Sequence, residues 1–217
     1  LLRELRLSTP QGLTNGLVFQ VGPYREWTED EPDGGGGEVT LEGALPMVVN
    51  GQIMPGDVDR YRFRAAKGAK LVASVDARAL VPYLADAVPG WFQATLALYD
   101  AEGNRLAYCD DRHYDPDPVI AHVIPADGEY VLEIADAIYR GRDDFVYRIT
   151  VGETPFITGI YPLGGPADTQ TTVRLTGWNL PTREVTVDAA AAGGVVPISV
   201  RAGDAVSNVA PFAVGSL

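Results

Sequence analysis

Five carboxylates are spaced so that an extended backbone would gather them. Glu29, Glu31 and Asp33 fall at alternate positions, and so do Asp57 and Asp59. Alternate residues of a strand share a face, so each set would point one way. Calcium takes about six to eight oxygen ligands and suits carboxylates of this kind. Glu29, Glu31 and Asp33 are therefore one set of candidate Ca²⁺ ligands and Asp57 and Asp59 a second, and no other cofactor is expected. A second reading stays open: Glu29 to Asp33 is a solvated acidic linker, and Asp59 pairs with Arg60, Arg62 or a backbone amide.

The other reactive side chains are few. Asp110, Asp111, Asp115 and Asp117 make a second acidic cluster, suited to capping a turn or to a metal. Cys109, His113 and His122 are the only thiol and imidazole groups. Cys109 and His113 alone do not make up the set of about four ligands of a closed zinc site. Nucleophilic catalysis by Cys109 would need a positioned base and an oxyanion hole. No constellation supplies those roles together, so the sequence reads as no enzyme, with no catalytic residues. A hydrolase built on the acidic clusters is the remote alternative. Tyr83, Trp91 and Phe92 could stack on sugar faces or anchor a protein surface, or they could lid a core with their own rings. Gly34 to Gly37 follows no strand and opens no helix, which removes it as a phosphate cradle.

The elements that would carry these residues are strands. Asp57, Asp59, Tyr61 and Phe63 share one parity, whereas Val58, Arg60, Arg62 and Arg64 share the other. The face with Tyr61 and Phe63 should be buried, which puts Asp59 on the core side at the rim of a sheet. A carboxylate there must find a partner. Further strands are expected at Leu71–Val75, Ala94–Tyr99, Arg105–Tyr108, Val119–Ile124, Tyr130–Ile134 and Phe145–Val151, with turn residues between them. Only Ala77 to Ala87 offers a helical turn, interrupted by Pro82. Many short strands and almost no helix indicate a β-sandwich.

The two ends of the chain repeat one another. Leu5, Leu13, Asn15, Phe19, Val21 and Gly22 align without a gap on Ile198, Val206, Asn208, Phe212, Val214 and Gly215, at a constant offset of 193 residues. Both stretches read as hairpins, so the first 22 residues should be the closing hairpin of a domain like the C-terminal one. Since a lone hairpin is marginal in water, it should borrow a surface from the sandwich or from a neighbouring molecule.

With 217 residues there is room for one large β domain or two smaller ones. The 17 basic and 29 acidic side chains give a net charge of −12, which disfavours nucleic-acid partners. A single cysteine excludes an internal disulfide, and no stretch approaches a membrane span. Neither an initiator methionine nor a signal peptide opens the sequence, so it reads as a piece of a longer protein.

Residues 29–151 resemble the bacterial pre-peptidase C-terminal domain. The likeness is carried by Glu29-Asp30-Glu31-Pro32-Asp33, Gly56 to Phe63, Leu98-Tyr99-Asp100-Ala101-Glu102-Gly103, Asp110-Asp111 and Pro125 to Leu132. It departs in a longer Leu80–Phe92 excursion, and Asp33 stands where that family more often has Asn. The resemblance implies a jelly-roll-like sandwich beside a secreted peptidase or another hydrolase. It also implies calcium held between the acidic segment and the Asp57–Asp59 strand. Residues 155–217 resemble a TIG/IPT-type immunoglobulin-like domain through Ile157 to Pro162 and Leu175 to Leu180.

The expected fold is all-β, a jelly-roll-like β-sandwich followed by a smaller immunoglobulin-like β-sandwich. The expected layout is a closing hairpin over 1–22, an acidic, glycine-rich linker over 23–37, and sandwiches over 38–153 and 154–217. The expected role is non-catalytic: a spacer, adhesion or interaction segment of a larger exported bacterial protein, secreted, periplasmic or on the cell surface, and stabilised by calcium. Its partners would be other domains of the same polypeptide, with a glycan or protein surface beyond them. The alternative is a carbohydrate-binding module using Tyr83, Trp91 and Phe92.

Overall fold

A computed structural model of the chain describes residues 2–29, 37–81, 90–189 and 194–215. Every regular element among them is a strand. The chain divides into two compact units, Leu1–Gly152 and Glu153–Leu217.

The first unit opens with a two-tiered hairpin. Strand β1 (Leu2–Leu5) pairs with β4 (Leu17–Gln20), and β2 (Ser8–Thr9) with β3 (Gly12–Leu13) at its tip. Next come β5 (Arg25–Thr28), β6 (Glu38–Thr40), β7 (Met47–Gln52), β8 (Val58–Ala65) and β9 (Lys70–Asp76). They are followed by β10 (Ala94–Asp100), β11 (Arg105–Cys109), β12 (Val119–Val123), β13 (Gly128–Asp136) and β14 (Val146–Gly152). These strands form two five-stranded sheets, ordered β11-β10-β13-β8-β6 and β12-β9-β14-β7-β5. Interleaving of distant strands in both sheets makes this a jelly-roll-like sandwich.

The parity expected for β8 is observed. Asp59, Tyr61 and Phe63 are buried, while Arg60 and Arg64 face solvent. On the outer face Arg60 meets Glu133 at 2.7 Å, and Arg64 meets Glu129 at 3.2 Å. Both pairs sit directly across the β8–β13 ladder, where opposite charges favour the register. The inner faces contribute Tyr61, Leu96, Leu98, Leu132, Phe145 and Ile149 to one contiguous core.

Within 23–37, expected to be a linker, Arg25–Thr28 is an edge strand running parallel to β7, with Trp27 opposite Val49; the acidic and glycine-rich residues 30–36 lie outside the described residues. The Trp27 ring packs edge-on against Tyr61, 5.6 Å between centroids. One half-buried aromatic and an existing sheet edge are enough to recruit a polar tetrapeptide whose own pattern does not ask for a strand.

The second unit holds β15 (Phe156–Tyr161), β16 (Gly164–Pro166), β17 (Thr169–Trp178) and β18 (Glu184–Ala189). It closes with β19 (Gly194–Ile198), β20 (Arg201–Ala202), β21 (Ala205–Val206) and β22 (Ala210–Gly215). A β15-β17-β18 sheet faces a β16-β22-β19 sheet in an immunoglobulin-like arrangement. Ile157, Val173, Leu175, Ile198, Phe212 and Val214 fill the space between them.

Candidate functional site

The carboxylate that the β8 parity sends inward arrives in a cluster of tyrosines. Asp59 and Tyr61 project from β8, and Tyr147 projects from β14 in the opposite sheet. The Tyr61 hydroxyl hydrogen-bonds the Tyr147 hydroxyl, and Tyr147 donates to Asp59 Oδ2 at 2.5 Å. Glu29, just beyond β5, brings Oε2 to 3.5 Å from the same Tyr147 hydroxyl and accepts from the Gln52 amide at 3.3 Å. Asp57 is also buried, and its Oδ1 accepts from the Val58 amide at 2.9 Å.

Burial pushes the Asp59 carboxyl up to about 8; the Tyr147 hydroxyl opposes this, and the charges of Glu29 and Asp57 add to it. Asp59 therefore holds its proton at neutral pH. The requirement for a partner is met by a phenol and a retained proton, not by Arg60 or Arg62. Those two arginines serve Glu133 and Glu38 on the other face. Burial also pushes both tyrosines above the usual phenol range.

Of the five carboxylates expected at a calcium site, Glu29, Asp57 and Asp59 come to this one corner. Glu31 and Asp33 lie outside the described residues, as does Tyr83. Among the described residues no three acidic, histidine or cysteine side chains gather closely enough to hold a metal ion. Their donor set alone falls short of the about six to eight oxygens of a calcium shell. Asp59, Tyr61 and Tyr147 are each at most 3% exposed, so a substrate has no route to them.

The other acids hold loops. Asp117 accepts the amides of Ala77, Arg78 and Ala79 at 2.8 to 3.1 Å. Burial raises its carboxyl despite those three bonds. Asp136 is buried and accepts from the Gln93, Ile138 and Arg140 amides and from the Arg140 guanidinium. Burial there would raise the carboxyl, but Arg140 and the amides outweigh it and leave it below the usual range. Asp110 caps locally, accepting from the Asp111 amide at 3.1 Å. Asp136 was not singled out from the sequence; the available signal was Arg140 at i+4 beyond the end of a strand.

Cys109 donates to the Asp111 carbonyl at 3.1 Å, and burial raises its thiol. No hydrogen bond joins it to His113 or His122 among the described residues, so its thiol lacks the base that nucleophilic chemistry needs. Phe92 is a core residue, stacked on Phe145 at 5.2 Å and 18°, which removes it from the expected surface platform. Trp91 is half-buried with the Arg78 guanidinium 4.7 Å above its ring, so one aromatic face already has a partner.

Sequence and site together define an all-β chain whose buried acids serve its own loops and core. No protein-family model matches the sequence. Among curated proteins it is similar to a probable subtilase-type serine protease of Deinococcus radiodurans, 36% identical over 100 residues, covering 42% of this chain and 13% of the protease. The match thus spans a small part of that relative's length. Among solved structures it is similar to the pre-peptidase C-terminal domain of a Bacillus anthracis collagenase, at 17% identity and a TM-score of 0.37, over 57% of this chain and 99% of that domain. It is also similar to PliG of Aeromonas hydrophila, a periplasmic inhibitor of g-type lysozyme, at 14% identity and a TM-score of 0.38, over 54% of this chain and 96% of that protein. The solved domain named first is of the kind that the motifs of residues 29–151 resemble.

Proposed function

We propose that the chain is a non-catalytic accessory segment of a larger exported bacterial protein, with the first sandwich acting as a spacer or adhesion module. The observation that carries this reading is the match to the protease, which is confined to 13% of that protein's length. The internal use of the acids supports it: Asp59, Asp117 and Asp136 are all buried and engaged with their own chain. The test is deletion of residues 1–217 from the longer polypeptide. Turnover of a short soluble substrate should be unchanged, whereas surface retention or action on large substrates should fall. A collapse of turnover on the short substrate would sink the proposal.

Calcium is the finer part of the reading, favoured by Glu29 and Asp59 meeting at one hydroxyl and by the repulsion from Glu29 and Asp57 that adds to the burial keeping Asp59 protonated. Its ligands would come from Glu29, Asp57 and Asp59, with Glu31 and Asp33. A bound cation would offset that repulsion and stabilise the join between β5 and the sandwich. Because Asp59 must give up its proton to serve, binding should release a proton and tighten as pH rises toward about 8. Isothermal titration in two buffers of different ionisation enthalpy reads both quantities. Absence of heat together with an unshifted melting temperature would retire the metal.

A further inference from the structure

The repeat read from the sequence extends to individual atoms. In the C-terminal hairpin Val196 faces Phe212 and Ile198 faces Ala210; in the N-terminal hairpin Arg3 faces Phe19 and Leu5 faces Leu17. The tips match as well, Arg201 with Val206 and Ser8 with Leu13. Ser207 Oγ accepts the Val200 amide at 3.0 Å, and Thr14 Oγ1 accepts the Leu7 amide at 3.0 Å. Each hydroxyl then donates to the carbonyl of the next asparagine, Asn208 or Asn15.

The two hairpins differ in what covers them. Ile198, Phe212 and Val214 are 5%, 0% and 6% exposed, whereas Leu5, Phe19 and Val21 are 51%, 55% and 48% exposed. The cover on the C-terminal copy is the β15-β17-β18 sheet, which contributes Ile157, Val173, Leu175 and Val187. Asn208 clasps that sheet through its edge strand. Its Oδ1 accepts the Ile157 amide at 2.6 Å, and its Nδ2 donates to the Ile157 carbonyl at 3.0 Å. Asn15, its counterpart, is exposed, and its side chain bonds no described residue. An aligned apolar face and a two-pronged amide are thus both in place without the sheet they fit.

We propose that residues 1–22 are the docking half of a second immunoglobulin-like unit, completed by a three-stranded sheet of the β15-β17-β18 type lying upstream in the same polypeptide. Asn15 clasps the backbone of the residue equivalent to Ile157, while Leu5, Phe19 and Val21 supply the apolar contact. The order of elements argues for an upstream source, because the C-terminal hairpin follows its own sheet in the chain. This inference stands on the repeat and is independent of the accessory role.

A second copy of residues 153–193 placed directly ahead of residue 1 of the full chain rebuilds the spacing of the C-terminal unit. Hydrogen exchange at the β1 and β4 amides should then slow by about a hundredfold or more. Asn15→Ala should return roughly tenfold of that protection, and should change nothing in the chain without the added copy. A converse chain, in which a copy of residues 1–22 replaces 194–215, should keep the Ile157 and Val173 amides protected. This second arm decides the matter should the added copy fail to fold. Unchanged exchange at β1 and β4 in a folded fusion, or loss of the second unit in the converse chain, would overturn the proposal. So would a concentration-dependent dimer of the unmodified chain that already protects Phe19, since a second copy would then be the occupant.

Discussion

Phe212 and Phe19 occupy equivalent positions in matched hairpins, so truncating each one isolates the contribution of burial. Phe212 is 0% exposed and sits in the core of a unit spanning Glu153–Leu217. Removing a buried phenylalanine side chain costs about 3–5 kcal/mol. A unit of this size has a total stability of roughly 3–10 kcal/mol, so Phe212→Ala removes much of it and can unfold the unit outright. Phe19 is 55% exposed, and Phe19→Ala should change stability by no more than about 0.5 kcal/mol. Urea unfolding followed by hydrogen exchange separates the two units. The Ile157 and Val173 amides should lose protection in Phe212→Ala, while Ile149 and Leu132 in the first unit stay protected. In Phe19→Ala both sets should match the parent chain. Similar losses from the two substitutions would refute the reasoning, because Phe19 would then be covered.

Three further outcomes follow from the first unit. Asp59 is raised to about 8 from an ordinary value of 3.8, so its contribution to stability is complete below about pH 4 and is lost as pH rises through about 8. Relative to the parent, Asp59→Asn should therefore gain about 1–3 kcal/mol between pH 5 and 8; parallel unfolding curves across that range would contradict it. Arg148 is buried and donates to Glu26 at 2.7 and 2.9 Å and to Asn50 Oδ1 at 2.8 Å, so Glu26→Ala should cost about 1–2 kcal/mol in urea unfolding, and a cost near zero would show that Asn50 suffices. Asp136→Asn should cost about 2–3 kcal/mol by the same measurement and speed exchange at the Gln93 and Arg140 amides, with unaltered exchange counting against its role as a loop anchor.

What the sequence disclosed depended on how local the cause was. The parity of β8 was readable because alternation is a property of adjacent residues, and the observed burial of Asp59, Tyr61 and Phe63 follows it. The hairpin repeat was readable because identical spacing survives without any knowledge of contacts. The partner of Asp59 was not readable, since Tyr147 lies on the opposite sheet, 88 positions away. Asp117 was readable only as a member of an acidic cluster suited to capping a turn, and Asp136 was not singled out, for the same reason. Each reaches a loop about 40 residues distant in the chain, and Arg140 beside Asp136 signals only the local half of its contacts. Strand β5 was missed because Arg25, Glu26 and Thr28 are polar; its edge is set by β7 and by the packing of Trp27 on Tyr61. Phe92 could be read as a surface aromatic or as part of a lid over the core; its ring takes the second role, stacked against Phe145.

The claim that the chain holds and connects without breaking bonds is tested most directly by a turnover assay on the purified chain. A panel of peptidase, esterase and glycosidase substrates should give rates indistinguishable from buffer, before and after Ca²⁺ is added. Turnover that survives purification and disappears on substituting Cys109, His113 or Asp59 would contradict the account.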